Sequence, residues 1–172
     1  MNEVLKCIAT RRSIKGYSDR MPSKEDIDLV IKAGLEAASG LNKQAPIIVA
    51  VTNKEVRDRL EEVNGRIYNK SGTFYGAPVV LVVLAKKEAH TYVYDGRCTL
   101  ANMMLAAHSL GLGACWIHRA KPTFEMPEWQ EWLKEIGITE EVEGIGHLVL
   151  GYPSGEYPKE KPRREGRVFY VD

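Results

Sequence analysis

The sequence predicts an α+β fold, a mixed β-sheet flanked by helices, in one domain spanning residues 1–172. Three observations carry that expectation. Helical patterns come first along the chain, and short β-branched runs are then interspersed with further helices. The order lacks the regular β-α-β alternation of a doubly wound parallel sheet. A chain of 172 residues, 44% hydrophobic and 27% charged, suits one folded domain with a buried core and not a disordered segment.

Each element has its own warrant. Val4, Leu5, Ile8 and Ala9 share a helical face, which predicts a short helix over 2–10. A longer helix is predicted over 23–39, after Pro22. Ser23 caps it, Asp26 takes the capping-box position in place of Glu, and Ile27, Val30, Ile31, Gly34, Leu35 and Ala38 recur at helical spacing. "PIIVAVTN" (46–53) has the continuous apolar character of a strand buried on both faces. Val56, Leu60, Val63 and Ile67 form one stripe of a helix over 54–69. A polar, glycine-containing loop (69–78) leads into a second buried strand, "PVVLVVLA" (78–85).

Residues 94–110 read as a helix that is apolar nearly all round. Leu100, Met103, Met104, Ala107 and Leu110 line one side, while Ala101, Leu105 and Ala106 fill much of the rest. Such a helix is buried on every side. One small domain has little room for it, so a second subunit is expected to cover it, giving a homodimer. Gly111 ends the helix as a C′ glycine. "GACWI" (113–117) is a short strand or an extended turn. Pro127 opens an amphipathic helix over 126–137 with Trp129, Trp132, Leu133 and Ile136 on one face. "GHLVLGYP" (146–153) is a third strand, and "RVFYV" (167–171) closes the chain as a short alternating strand.

The charge balance narrows the function. A net charge of +1 provides no field for gripping a nucleic-acid backbone or an anionic membrane. No apolar run reaches transmembrane length and the N-terminus has no signal-peptide core. Cys7, Cys98 and Cys115 form no CxxC pair, which fits reduced thiols and a cytoplasmic setting. Anion recognition must therefore rest on local clusters, of which there are two. "RRSIKGY" (11–17) crowds Arg11, Arg12, Lys15 and the Ser13 hydroxyl together. "KEKPRREGR" (159–167) holds Lys159, Lys161, Arg163, Arg164 and Arg167. Arg meets a phosphate monoester with a bidentate fork and Lys with a point charge. Either cluster alone also fits a solvated terminus. Together they can meet around one phosphate.

At these motifs the chain resembles the FMN-dependent nitroreductase family of flavoproteins. "RRSIKGY" is similar to that family's N-terminal Arg-Arg-Ser signature. "AASGLNKQAPIIVAV" (37–51) resembles its Ala-Pro-Ser-x-x-Asn-x-Gln-Pro segment, and "YGAPVVLVVLA" (75–85) its Ala-Pro strand. "DGRCTLANMMLAAHSLGLGACWI" (95–117) resembles its long central helix and Gly-Leu-Gly turn. "LVLGYPSGEYPKEKPRR" (148–164) resembles the Gly-Tyr-Pro strand and closing Lys-Pro-Arg. The five motifs occur in the family's order and cover nearly the whole chain.

The resemblance implies a mixed, mainly antiparallel sheet flanked by helices, an intertwined homodimer, and FMN at the subunit interface. It implies NADH or NADPH as electron donor. Electrons would pass through flavin N5 to a small, electron-poor acceptor, nitroaromatic or quinone-like, by a ping-pong mechanism. Arg11, Arg12, Ser13 and Lys15 match the N-terminal FMN-binding positions, and Lys161 and Arg163 the C-terminal phosphate contacts. Ser39, Asn42 and Gln44 match positions near the isoalloxazine ring. Trp116, Ile117 and His118 match the stretch whose backbone faces it. Ala38 and Ala45-Pro46 depart from the family pattern, and His118-Arg119 stand where glycine is common, crowding the flavin's reactive edge. A non-catalytic flavin- or phosphate-ligand-binding protein is the alternative.

The remaining conspicuous residues have plain readings. His108 and His147 are expected to be satisfied core or interface side chains, and no metal-ligand spacing is present. His118 either donates a proton to a reduced substrate or turns to solvent and contributes only its backbone. "GLG" (111–113) is a helix stop, since it lacks the third glycine and preceding strand of a dinucleotide fingerprint. Tyr68, Phe74 and Tyr75 form either a mobile aromatic lid or a packed loop. Trp129 and Trp132 keep helical spacing and belong to the core.

Overall fold

A computed structural model describes residues 1–172. Six helices are α1 (Glu3–Thr10), α2 (Lys24–Leu35), α3 (Lys54–Tyr68), α4 (Tyr92–Ser109), α5 (Ala120–Phe124) and α6 (Pro127–Glu135). Four strands, β1 (Pro46–Val51), β2 (Val79–Lys86), β3 (Gly113–Ile117) and β4 (Val142–Gly151), form one sheet in the order β1-β2-β4-β3. All three strand pairs are antiparallel, and a lone parallel bridge, Ser13 to Ala114, makes the pairing mixed.

The sheet is a middle layer with a core on each side. Side chains alternate along a strand, so Val80, Val82 and Leu84 of β2 enter one core with Leu60, Phe124 and Trp129 of α3, α5 and α6. Val79, Leu81, Val83 and Ala85 enter the other, with Ile27 and Val30 of α2 and Leu100, Met103 and Ala107 of α4. This explains the unbroken apolar run in β2. A register shift at Val83/Leu84 lets β4 bulge near Ile145. Gly96 of α4 gives Ile145 room, because a Cβ there would lie 2.7 Å from Ile145 Cγ1.

Ser23 caps α2 as expected, accepting the Asp26 N–H, and Asn2 and Asn53, which the sequence reading did not single out, cap α1 and α3 in the same way. Gly111 (φ 75) ends α4 in a Schellman motif, with Leu112 N–H donating to Ala107 O and Gly111 N–H to His108 O. No helix is long and apolar enough to cross a membrane.

Several expectations are corrected. The helix from Ser23 stops at Leu35, so Ala38 lies beyond it. β1 is an edge strand, mostly half-buried, and not buried on both faces. Within one protomer α4 leaves Tyr94, Arg97, Cys98 and Ala101 exposed, so the protomer by itself does not enclose this helix, as the sequence reading expects of a single small domain. Residues 167–171 form no strand here, and Val168, Phe169, Tyr170 and Val171 are 70–97% exposed. α5 escapes the sequence reading because it has five residues, with Pro122 in its first turn, where proline is tolerated. His147 is fully buried between Phe74 and Phe124, yet neither ring nitrogen has a hydrogen-bond partner.

Candidate active site

The two basic tails meet. After α1 the chain runs along β3, where Ile14 N–H donates to Ala114 O (3.1 Å). Gly113 permits that approach, since a Cβ there would lie 2.9 Å from Ile14 Cγ1. The same segment pairs with the chain leaving β4. Ser18 N–H donates to Tyr152 O and Ser154 N–H to Gly16 O, each at 3.0 Å, around a Tyr17–Pro153 bridge. Further out, the Tyr157 hydroxyl donates to Thr10 O (3.2 Å), and Arg12 Nη2 lies 3.5 Å from Glu160. His108 of α4 touches both tails, through Thr10 Oγ1 (2.8 Å) and the Tyr157 hydroxyl (3.4 Å). Burial, then Arg11 and Arg12, push its pKa down.

The cations at this junction differ in their commitments. Arg12 Nη1 donates to Ala9 O and Arg11 O. Arg11 Nη1 is buried with no hydrogen-bond partner. Lys161 and Arg163 are exposed and form no ion pair. Ser13 and Lys15 reach toward Cys115 of β3. Burial raises that thiol's pKa, while Lys15, Ser13 and Arg11 pull it the other way.

Lys15 also opens onto a cavity of about 330 Å³. Cys115, Trp116, Ile117, His118 and Arg119 form one wall, from β3 and the turn after it. Tyr68, Lys70, Gly72, Thr73 and Tyr75, from the end of α3 and the following loop, form the other. His118 is exposed at the mouth and also lines a neighbouring cavity with Arg97, Lys121 and Glu143. Phe74 is packed in the core, Tyr75 is half-buried with Lys15 Nζ 5.8 Å from its ring centre, and Tyr68 is exposed, so the aromatic loop is anchored by Phe74.

Arg119 adopts φ 78, a left-handed conformation that accounts for glycine being suited to this position. Its guanidinium is drawn toward α3. Nε and Nη2 donate to Asn64 Oδ1 (3.2 and 2.7 Å), and the group lies 4.5 Å from the Tyr68 ring centre. Asn64, 0% exposed, also donates to His118 O (2.8 Å). Arg119 is thus pinned along the wall. Sequence reasoning missed Asn64. Its signal was a polar residue four positions after Leu60 on a buried helical stripe. Lys70 and Thr73 gave no signal.

Not every expected site residue gathers here. Ser39, Asn42 and Gln44 sit in the turn after α2, where Gln44 N–H donates to Ser39 Oγ (3.1 Å) and Gln44 Nε2 to Asn42 Oδ1 (3.3 Å). Gly40 N–H ties this turn to Asp95 of α4 (3.1 Å). None of the three lines the Lys15 cavity.

A helix-flanked antiparallel sheet whose two cationic tails join beside a carboxylate-free cavity defines an α+β protein suited to an anionic ligand. The chain belongs to the nitroreductase family, whose model matches residues 8–73 and 66–152. It is 34% identical over 162 residues to an Archaeoglobus fulgidus protein provisionally named NADH dehydrogenase/NAD(P)H nitroreductase, covering 91% of this chain and 88% of that one. It is 28% identical to the FMN reductase [NAD(P)H] of Bacillus subtilis, over 95% of this chain and 70% of that one. The crystal structure of a nitroreductase with bound FMN from Bacteroides fragilis superimposes with a TM-score of 0.88 at 30% identity, covering 100% of both chains.

Proposed function

We propose that this chain is an NAD(P)H-dependent FMN oxidoreductase that reduces electron-poor acceptors, nitroaromatic or quinone-like. The observation that supports it best is the junction of the two tails. It brings Arg11, with its unpartnered buried Nη1, and Ser13 to the segment that leads to Lys161 and Arg163. A buried cationic donor without a partner costs about 1–3 kcal/mol or more, and a phosphate monoester is a fitting partner for such a group.

In this reading Arg11, Arg12, Ser13, Lys161 and Arg163 hold the FMN phosphate. Lys15, Trp116, Ile117 and His118 face its ring. Bound FMN supplies the two-electron chemistry that links NAD(P)H to the acceptor. Lys15 balances negative charge on the ring, and Ile117 and the indole of Trp116 limit water. His118, at the mouth, can pass a proton from its imidazole to a reduced acceptor. Donor and acceptor share one cavity and must use it in turn, which gives ping-pong kinetics.

The reading includes a cytoplasmic, intertwined homodimer. Val4, Leu5 and Ile8 on α1 and residues 168–171 expose apolar surface. The free edge of β1 borders an apolar groove of about 530 Å³ with Val56, Trp132, Ile136 and Ile138. Ser39, Asn42 and Gln44 then belong to the site formed with the second subunit, which fits their distance from the Lys15 cavity.

Purified protein supplied with FMN should be yellow and bleached by NADH or NADPH. Arg11→Ala combined with Arg163→Ala should lower FMN affinity at least about tenfold, whereas Glu62→Ala, on the exposed face of α3, should not. Colourless protein, or equal FMN retention in both variants, would overturn the assignment.

A further inference from the structure

We infer that Lys70 and Arg119 make this enzyme select acceptors that carry a negative charge beside the reducible group. The inference rests on the flavin reading and adds the substrate class. Three cations line the cavity, namely Lys15, Lys70 and Arg119, and no carboxylate does. None of the three takes part in an ion pair, although many of the chain's other Lys and Arg residues do, among them Lys86, Lys87 and Lys121. Glu61 is the carboxylate that touches this loop, and it accepts the Phe74 N–H at 2.7 Å.

Lys15 is already assigned to the ring of the cofactor, which leaves Lys70 and Arg119 on the cavity walls. Arg119 is held there by neutral groups, Asn64 and the Tyr68 ring, and so keeps its full charge for a ligand. Thr73, on the same wall as Lys70, has a buried hydroxyl with no hydrogen-bond partner. Two unpaired cations, an uncommitted hydroxyl and the exposed Tyr68 ring suit an aromatic acceptor bearing a carboxylate or sulfonate. A neutral acceptor of the same shape leaves both cations unanswered.

The test compares 4-nitrobenzoate with 4-nitrobenzamide, which match in size; the neutral amide withdraws electrons more strongly than the carboxylate, so a preference for the carboxylate cannot come from the reducibility of the ring. With either, NAD(P)H and one proton supply two electrons and two protons to the nitro group. It loses one oxygen as water and becomes nitroso, and NAD(P)+ is released. The holoenzyme should show a higher kcat/KM for the carboxylate, through a lower KM that rises with salt. Lys70→Gln and Arg119→Gly should each cut the ratio of the two kcat/KM values about tenfold, the size of one charge-assisted hydrogen bond. Glycine at 119 tolerates the left-handed backbone, so this variant keeps the turn.

An unchanged ratio in FMN-loaded variants would overturn the inference and leave the flavin reading standing. So would equal losses for both acceptors with a shifted flavin potential, because the cations would then serve the cofactor. A rise confined to the KM for NAD(P)H would overturn it as well. Protein that fails to hold FMN would overturn both.

Discussion

Asn64→Leu tests how the turn at His118-Arg119 is held. The substitution keeps the branched heavy-atom skeleton but removes three hydrogen bonds: one to His118 O at 2.8 Å and two from Arg119 at 3.2 and 2.7 Å. The His118 carbonyl loses a partner at a part-buried site, worth about 1–2 kcal/mol. The guanidinium is partly exposed and can rehydrate, so its loss is nearer about 1 kcal/mol. The sum is about 2–3 kcal/mol, and a domain of this size loses roughly 2–4 °C in Tm per kcal/mol. Urea and thermal unfolding, followed by circular dichroism at one protein concentration with saturating FMN, should therefore show Tm lowered by about 5–10 °C. Arg119→Gly alone gives up the same pair of bonds but relieves a left-handed conformation worth about 1–2 kcal/mol, so its net effect should be small. The double variant should lose about 1 kcal/mol less than the sum of the singles, since the Arg119–Asn64 bonds are then counted once. A loss below about 0.5 kcal/mol for Asn64→Leu, or additivity in the cycle, would refute the clamp.

Burial lowers the pKa of His147 from 6.5 to about 3, with Arg119 adding to the effect. Between those values the unfolded chain binds a proton that the folded chain refuses. Stability should thus fall as pH drops below 6.5, by up to about 1.4 kcal/mol per pH unit. His147→Leu leaves no orphaned nitrogens and should flatten that slope in urea titrations from pH 7 to 4; an unchanged slope would place the acid sensitivity elsewhere. Gly113→Ala forces a Cβ against Ile14 and should cost about 1–3 kcal/mol. It should also weaken FMN binding by lifting the Arg11–Lys15 segment off β3, read by flavin fluorescence; unaltered affinity would separate that segment from the site. Tyr17→Phe removes the hydroxyl's bond to Ile14 O (3.0 Å) and should lower stability by about 1 kcal/mol in the same urea assay, and a neutral result would show that bond to be dispensable.

The elements that the sequence revealed are those whose local pattern and tertiary surroundings agree. β2 is covered on both faces and reads as an unbroken β-branched run. α2 and α3 carry both a cap and a stripe. β1 has the same composition as β2 but lies at the sheet edge, and composition says nothing about which neighbour a strand has. "RVFYV" has strand alternation, but alternation supplies no partner, and the protomer offers it none. β4 begins four residues before the predicted start because Gly144 and Gly146 interrupt its apolar run. Both are glycine for packing reasons: a Cβ at 144 would strike the Ala120 backbone, and one at 146 the Trp116 indole. In the site, like charges clustered in sequence marked the tails. The Asn64–Arg119 clamp and the Lys70 wall join residues about fifty apart, through a fold that no local window contains.

The seam between residues 10–18 and 152–160 has a consequence for biosynthesis. All four strands are available once β4 has left the ribosome, and the strip that meets Thr10 and Arg12 emerges after them. A nascent chain that stops after β4 therefore has all four strands and lacks the strip that meets Thr10 and Arg12. If the two tails hold FMN as proposed, a chain that ends before residue 160 should keep the sheet and fail to retain the cofactor.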